Sequence, residues 1–90
     1  MRKLKIVIIE DEAVAAERLA SLLHEIAPEI SVIARLDSIA SAVPWFMNNT
    51  ADLIFADIQL ADGLCFSIFE QVNVNIPVIF TTAYDQYTIK

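Results

Sequence analysis

The sequence contains very little glycine and very little cysteine. There is one residue of each among 90. A single glycine excludes the glycine-rich dinucleotide-binding and P-loop motifs, because both need several glycines. A single cysteine excludes a disulfide framework and a thiolate zinc site. Any functional site must therefore be built from other side chains.

Basic residues and long apolar runs are also scarce. Six basic residues stand against twelve acidic ones, which gives a net charge of −6. That charge repels phosphate backbones, so we expect no direct nucleic-acid binding by this segment. No apolar run approaches the ~20 residues that cross a bilayer, and no cleavage signal follows the N-terminus. We expect a soluble, cytoplasmic protein that does not enter a membrane.

Short apolar segments alternate with helical patterns along the chain. The composition is 57% hydrophobic, which excludes disorder. The predicted strands are Leu4–Ile9, Ile30–Leu36, Asp52–Ala56 and Ile76–Phe80. Continuous apolar runs are typical of strands covered on both faces. The alternation predicts one α/β domain, residues 1–90, with right-handed crossovers and a doubly wound parallel sheet.

Helical spacing of apolar residues predicts a helix in each gap between strands. The positions are Ala15, Leu19, Leu22 and Ile26 in the first pattern, Ile39, Val43 and Phe46 in the second, and Leu64, Ile68, Phe69 and Val72 in the third. Pro28 ends the first helix, and Asp37-Ser38 is an N-cap signal for the second. Pro44 lies inside the second pattern, so we expect a kink or a short helix there. Residues 86–90 are predicted to begin another helix.

Polar and acidic residues follow the predicted strands. Glu10 and Asp11 come after the first strand, Asp57 after the third and Thr82 close after the fourth. In parallel sheets, ligands bind beyond the carboxyl ends of the strands, where the strand order reverses. The flavodoxin-like order 2-1-3-4-5 makes the first and third strands neighbours. We therefore expect Glu10, Asp11 and Asp57 to share one pocket.

Three crowded carboxylates resist ionisation unless a cation joins them. Oxygen ligands without nearby histidine or cysteine favour Mg²⁺. A carboxylate such as Asp57 can act as a nucleophile toward phosphorus and give an aspartyl-phosphate. The Thr82 hydroxyl and the Ala83 main-chain N–H could then donate hydrogen bonds to phosphoryl oxygens. The alternative is that Thr82 is only a strand-forming or turn residue.

Three segments carry a resemblance to a known family. They are IVIIEDE, DLIFADIQLADG and PVIFTTAYD, in this order along the chain. Together they resemble the receiver domain of bacterial response regulators in two-component signalling. They are most similar to the subgroup whose output is a LytTR-type DNA-binding domain. The resemblance implies a flavodoxin-like receiver fold, and it covers essentially the whole chain.

The resemblance also implies roles for individual residues. Asp57 is the implied phosphoacceptor. The implied Mg²⁺ ligands are Glu10, Asp11, Asp57 and the main-chain carbonyl of Gln59. Thr82 is the implied switch hydroxyl, with the Ala83 N–H as a further phosphate donor. The implied partner is a histidine kinase, and the protein is a signalling receiver that phosphorylates and dephosphorylates only itself. Its DNA-binding output domain would be absent from this chain.

The sequence departs from the family pattern after the fourth strand. We expect the fold to lack its last strand and helix, and the family's phosphate-pairing lysine has no counterpart. Lys90 comes too early in the pattern, and Lys3 and Lys5 belong to the first strand. The alternative function is a phosphorylation-incompetent fragment that acts as an interaction or self-association module. An uncovered fourth strand would favour a homodimer or a swapped oligomer.

A third interpretation is a phosphatase similar to the haloacid dehalogenases. These enzymes also form an aspartyl-phosphate on a parallel sheet. They need a second acid two residues after the nucleophile, where this sequence has Gln59. The sequence therefore disfavours the phosphatase.

Overall fold

The structure, a computed structural model, describes residues 3–81, in which the strands of the main sheet alternate with helices. The elements are β1 (Leu4–Ile9), α1 (Ala13–Ile26), β2 (Ile30–Leu36), α2 (Ile39–Asn48), β3 (Leu53–Ala56), β4 (Gln59–Leu60), β5 (Gly63–Leu64), α3 (Phe66–Gln71) and β6 (Val78–Phe80). The predicted α/β alternation is confirmed. The helix expected at 86–90 lies outside the described residues.

One parallel sheet organises these elements. Within residues 3–81 its four strands follow the order β2-β1-β3-β6, and all three neighbouring pairs run parallel. β6 is the fourth strand of the sequence prediction, so the predicted doubly wound order is confirmed. The order reverses at β1, which places β1 beside β3. The carboxyl ends of those two strands therefore meet at one edge of the sheet.

The sheet separates two apolar layers. On one side, Ile6 and Ile8 of β1 form a cluster with Ala16 and Ala20 of α1. The alternate β1 side chains lie in the other cluster, with residues of α2 and α3; these side chains are Val7 and Ile9. Because successive side chains of a strand point to opposite faces, β1 is covered on both sides. This coverage explains the unbroken apolar run Ile6–Ile9.

A β-bulge interrupts the pairing of β2 with β1. Ile6 is opposite Val32 but Val7 is opposite Ala34, so Ile33 is the extra residue. The bulge changes which side chains face which layer. Val32 packs with the α1 layer, whereas Ala34 packs with the α2 layer.

The buried face of α1 differs from the predicted one. Leu22 and Ile26 were expected on the apolar side, but they are 50% and 70% exposed. Ala16 and Ala20 are buried instead, with Leu19 and Leu23 packed against the same cluster. The physical reason is that small alanines let the helix approach the sheet closely. The buried face of α1 therefore lies about one residue further along the helix than the sequence predicted.

α2 begins as predicted and continues through its proline. The Ser38 side chain accepts a hydrogen bond from the Ser41 N–H at 3.0 Å, and Ser41 Oγ accepts one from the Ser38 N–H at 3.2 Å. This capping box confirms the predicted start. Pro44 is exposed and lies inside the ten-residue helix.

The segment after β3 contains a hairpin that was not predicted. β4 pairs antiparallel with β5 across the turn Ala61-Asp62. Leu64 therefore belongs to a strand, and its assignment to the third helix was wrong. That helix spans only Phe66–Gln71 and buries Ile68. Among the described residues, no helix combines the length and apolar character needed to span a bilayer.

Candidate functional site

The site lies at the carboxyl ends of β1 and β3. Glu10 and Asp11 follow β1, and Asp57 follows β3. The Asp57 N–H donates to the Ile9 carbonyl at 2.9 Å, and the Glu10 N–H donates to the Leu36 carbonyl at 2.9 Å. These backbone bonds extend the sheet pairing by one residue, so the backbones of Glu10 and Asp57 are held by the strands.

The structure brings the three acidic side chains together. One carboxylate oxygen each from Glu10, Asp11 and Asp57 lies within 4.8 Å of the others. Glu10 and Asp57 are half-buried. The expected convergence of residues distant in sequence is thus present in the fold.

Main-chain N–H groups help to orient two of these carboxylates. The Glu12 N–H donates to Glu10 Oε2 at 3.1 Å. The Gln59 N–H donates to Asp57 Oδ1 at 3.3 Å. Glu12 also occupies the N-cap of α1, although its own side chain makes no capping bond. The start of α1 and the start of β4 therefore both contact the site.

Burial and like charges act together on Glu10. The pKa of Glu10 is raised from 4.5 to about 7: desolvation is the largest cause, a hydrogen bond to Asp11 and the charges of Asp57 and Asp11 add to it, and the Glu12 N–H acts in the opposite direction. Each of these raising effects penalises the charged carboxylate. A cation at this position would remove the penalty, because opposite charge favours the ionised form.

The donor set fits a hard divalent cation. All three candidate side-chain ligands are carboxylates whose oxygens lie within 4.8 Å of one another. Mg²⁺ binds through one or two carboxylates and keeps several waters, which leaves room for a phosphate oxygen. A small cleft of about 170 Å³ adjoins Glu10 and Asp11, with Arg35 and Asp37 in its wall. The residues present therefore fit Mg²⁺.

The other residues considered for the site lie in different parts of the chain. Gln59 is exposed and begins β4, two residues after Asp57. Lys3 and Lys5 lie at the amino end of β1, the end opposite the three carboxylates. Thr82, Ala83 and Lys90 lie outside the described residues, so their predicted roles stay predictions.

Two residues of the segment that follows Asp57, Cys65 and Asp62, carry no functional signal in the sequence. Cys65 is fully buried, and desolvation, with a contribution from the Asp57 charge, raises its thiol pKa to about 11. Asp62 accepts hydrogen bonds from the first turn of α2. The Asp62-Gly63 dipeptide is a hairpin signal that would have located the β4–β5 turn. No local pattern indicates the contact with α2.

Comparison with known proteins identifies the family. Residues 6–90 match the response regulator receiver domain family. The sensory transduction protein LytT of Enterococcus faecalis is 36% identical over 88 residues, which cover 94% of this chain and 36% of that protein. This chain therefore spans little more than a third of the length of that relative.

Two solved structures share the fold. The response regulator PhyR from Brucella abortus gives a TM-score of 0.77 at 27% identity, over 91% of this chain and 34% of that chain. The MaeR response regulator bound to beryllium trifluoride gives a TM-score of 0.77 at 24% identity, over 90% of this chain and 68% of that chain. With the family match over residues 6–90, these findings assign the chain to the response regulator receiver domain family.

Proposed function

We propose that this protein is the phosphoacceptor receiver of a two-component system, and that Asp57 accepts a phosphoryl group from a histidine kinase. The observation that carries the proposal is the convergence of Glu10, Asp11 and Asp57, with carboxylate oxygens within 4.8 Å. Family membership supports it, because the three residues occupy the motif positions that define the resemblance.

In the proposed step, an Asp57 carboxylate oxygen attacks phosphorus in line with the kinase phosphohistidine. An O–P bond forms, the P–N bond breaks, and the imidazole leaves with the electron pair of that bond. Glu10, Asp11, Asp57 and the Gln59 main-chain carbonyl would hold Mg²⁺. When bound, the ion neutralises negative charge on the transferring group. The strand ends hold the nucleophile in place throughout.

The proposed output is a change in a separate DNA-binding domain. Phosphorylation adds about −1.5 to −2 charges and strong acceptor oxygens at Asp57. The Thr82 hydroxyl and the Ala83 N–H would donate to those oxygens and so reposition the segment that contains them. The greater length of LytT is consistent with a further domain that receives this signal. We place this signalling in the cytoplasm.

Labelling with acetyl phosphate in Mg²⁺ tests the proposal. Asp57→Asn should abolish the labelling, because the amide is a poor nucleophile. Asp52→Asn is the matched control, since Asp52 precedes the same strand at its opposite end, where it accepts a hydrogen bond from the Lys5 N–H at 2.8 Å. The control should keep full labelling. Undiminished labelling of Asp57→Asn would refute the assignment.

We also propose that the protein self-associates through β6, as a homodimer or a swapped oligomer. β6 lies at the end of the sheet order found in residues 3–81. Its Ile79 and Phe80 are 47% and 43% exposed. Edge strands with exposed apolar side chains recruit further chains. This proposal stands independently of phosphorylation.

A further inference from the structure

The β4–β5 hairpin, which directly follows Asp57, is attached to the first turn of α2. Asp62 Oδ1 accepts a hydrogen bond from the Ile39 N–H at 2.9 Å, and Asp62 Oδ2 accepts one from the Ala40 N–H at 3.1 Å. These N–H groups belong to the first two residues of the helix and have no partner within it. One carboxylate thus caps α2 from 23 residues away.

Capping of α2 is divided between two side chains. Ser38 accepts from the Ser41 N–H, the third N–H of the helix, at 3.0 Å. Asp62 accepts hydrogen bonds from the first two N–H groups of the helix, and those bonds hold the pKa of its carboxyl group below the usual value. Loss of the Ser38 side chain would weaken only the helix end. Loss of the Asp62 carboxylate would also release the hairpin.

Gly63 provides a second contact at the same junction. Its φ of +139° is one that residues with a side chain rarely adopt. A Cβ at this position would lie 3.0 Å from Ile39 Cδ1. The hairpin therefore approaches α2 closely because residue 63 has no side chain, and this contact does not depend on charge.

The hairpin connects this junction to the acidic site. Leu60 is paired with Gly63, and Gln59 with Leu64. The Cys65 N–H donates to the Ile58 carbonyl at 2.8 Å, which closes the base of the hairpin. A displacement of the turn at Asp62 would therefore be transmitted to Gln59.

The opposite side of the junction is fixed to Glu10. α2 starts three residues after the end of β2, and the Glu10 N–H donates to the Leu36 carbonyl of that strand at 2.9 Å. The Asp62 contact thus ties the segment after Asp57 to the strand end that carries Glu10. The Asp62 contact is thus a connection between the Glu10 side and the Asp57 side of the acidic site that does not pass through the pairing of β1 with β3.

We propose that Asp62 is a positioning residue for divalent-cation binding: by holding the hairpin against α2, it sets the place of Gln59 relative to Glu10 and Asp11. The inference rests on the proposed function, which assigns the Gln59 carbonyl to the cation. Asp62 itself does not contact the ion.

The test is a Mg²⁺ titration of the protein, followed by the NMR amide signals of the acidic site. It compares wild type with Asp62→Asn, Gly63→Ala and Ser38→Ala. Loss of an outer contact that orients a metal site typically lowers affinity about 10-fold or more. We expect about that loss for Asp62→Asn and for Gly63→Ala, and less than about 2-fold for the capping control Ser38→Ala. Measurement at 0.5 M KCl, where the screening length is only a few ångströms, removes the simple charge effect of Asp62→Asn.

Hydrogen exchange gives an independent readout. The Ile39 and Ala40 amides should exchange faster in Asp62→Asn, while the Ser41 amide should be the one most affected in Ser38→Ala. If Asp62→Asn does not fold, Gly63→Ala decides the matter, because it disturbs the same contact without a change of charge. Wild-type affinity in both hairpin variants, or an equal loss in Ser38→Ala, would overturn the inference. Absence of Mg²⁺ binding by the wild type would instead overturn the proposed function.

Discussion

At Glu10, burial directly opposes the negative charge that a carboxylate needs to bind a cation. Its carboxylate is half-buried beside two other acids, and desolvation is the largest cause of its pKa of about 7. Without a cation, this group favours the protonated form at a pH where most carboxylates are ionised. The site therefore costs stability when it is empty of positive charge.

The metal-free protein should lose stability as the pH rises from about 4.5 to 7. In the unfolded chain Glu10 releases its proton near 4.5, whereas in the folded protein it retains the proton until about 7. Between these values the folded state binds more protons, so raising the pH favours unfolding. Urea midpoints measured in EDTA at pH 5 and pH 7 test this.

Glu10→Gln is the control for that experiment, because glutamine cannot titrate. We expect the urea midpoint of Glu10→Gln to exceed that of the wild type by a larger amount at pH 7 than at pH 5. The subtraction removes the other groups that titrate in this range. A difference that does not change with pH would contradict the prediction.

The acidic residues could be located from sequence, whereas their surroundings could not. Glu10 and Asp57 each end an apolar run, so strand order alone brings them together. Asp62 accepts hydrogen bonds from N–H groups 22 and 23 residues away. Such a contact is a property of the assembled fold, and neither spacing nor periodicity encodes it.

At the scale of elements, α1 shows why periodicity predicts a helix better than its buried face. Leucine and isoleucine occur on more than one side of this helix, and the larger side chains do not mark the buried side. Ala16 and Ala20 are buried, while Val14 is 72% exposed. The close packing of alanines against Ile6 and Ile8 decides the orientation.

Adjacent leucines of α1 provide a matched test of that orientation. Leu23 packs against the core cluster, and Leu22 is half exposed. Leu23→Ala should lower the free energy of unfolding by about 2 kcal/mol, because it removes partly buried methyl groups. Leu22→Ala should change it by about 0.5 kcal/mol or less, as for most surface positions. Denaturant unfolding of both variants measures the difference, and equal losses would show that the helix face is wrongly assigned.

α2 and the hairpin show the two ways in which local signals compete with tertiary contacts. Pro44 predicts a kink or a short helix, and α2 continues for four residues beyond it. Burial of Ile39, Ala42 and Phe46, together with the Ser38 and Asp62 caps, outweighs the lost hydrogen bond. In the hairpin, the apolar Leu64 matches helical spacing but is placed in a strand by the Ala61-Asp62 turn.

At the scale of the whole molecule, the fold followed from the alternation of strands and helices. Short connections and right-handed crossovers leave few arrangements for four strands separated by helices. The observed order β2-β1-β3-β6 is one of them.

Self-association can be tested by sedimentation at several concentrations. The wild-type protein should sediment as a species larger than a monomer. Ile79→Lys should weaken association, since a lysine on an edge strand blocks the approach of another strand. Met47→Lys is the control, because Met47 is 66% exposed and belongs to α2 rather than to the edge strand. A wild-type monomer at every concentration would contradict the prediction.

The bulge at Ile33 has a consequence for how β2 tolerates changes in length. Ahead of the bulge, Val32 belongs to the α1 layer; behind it, Leu36 belongs to the other layer, and Arg35 reaches Glu17 of α1 at 2.7 Å. Deletion of Ile33 would give an even ladder in which Val32 is still opposite Ile6 and Ala34, Arg35 and Leu36 are still opposite Val7, Ile8 and Ile9. Because successive side chains of a strand point to opposite faces, Val32 and Ala34 would also keep their present layers. Position 33 is therefore where β2 should best accept the loss of one residue.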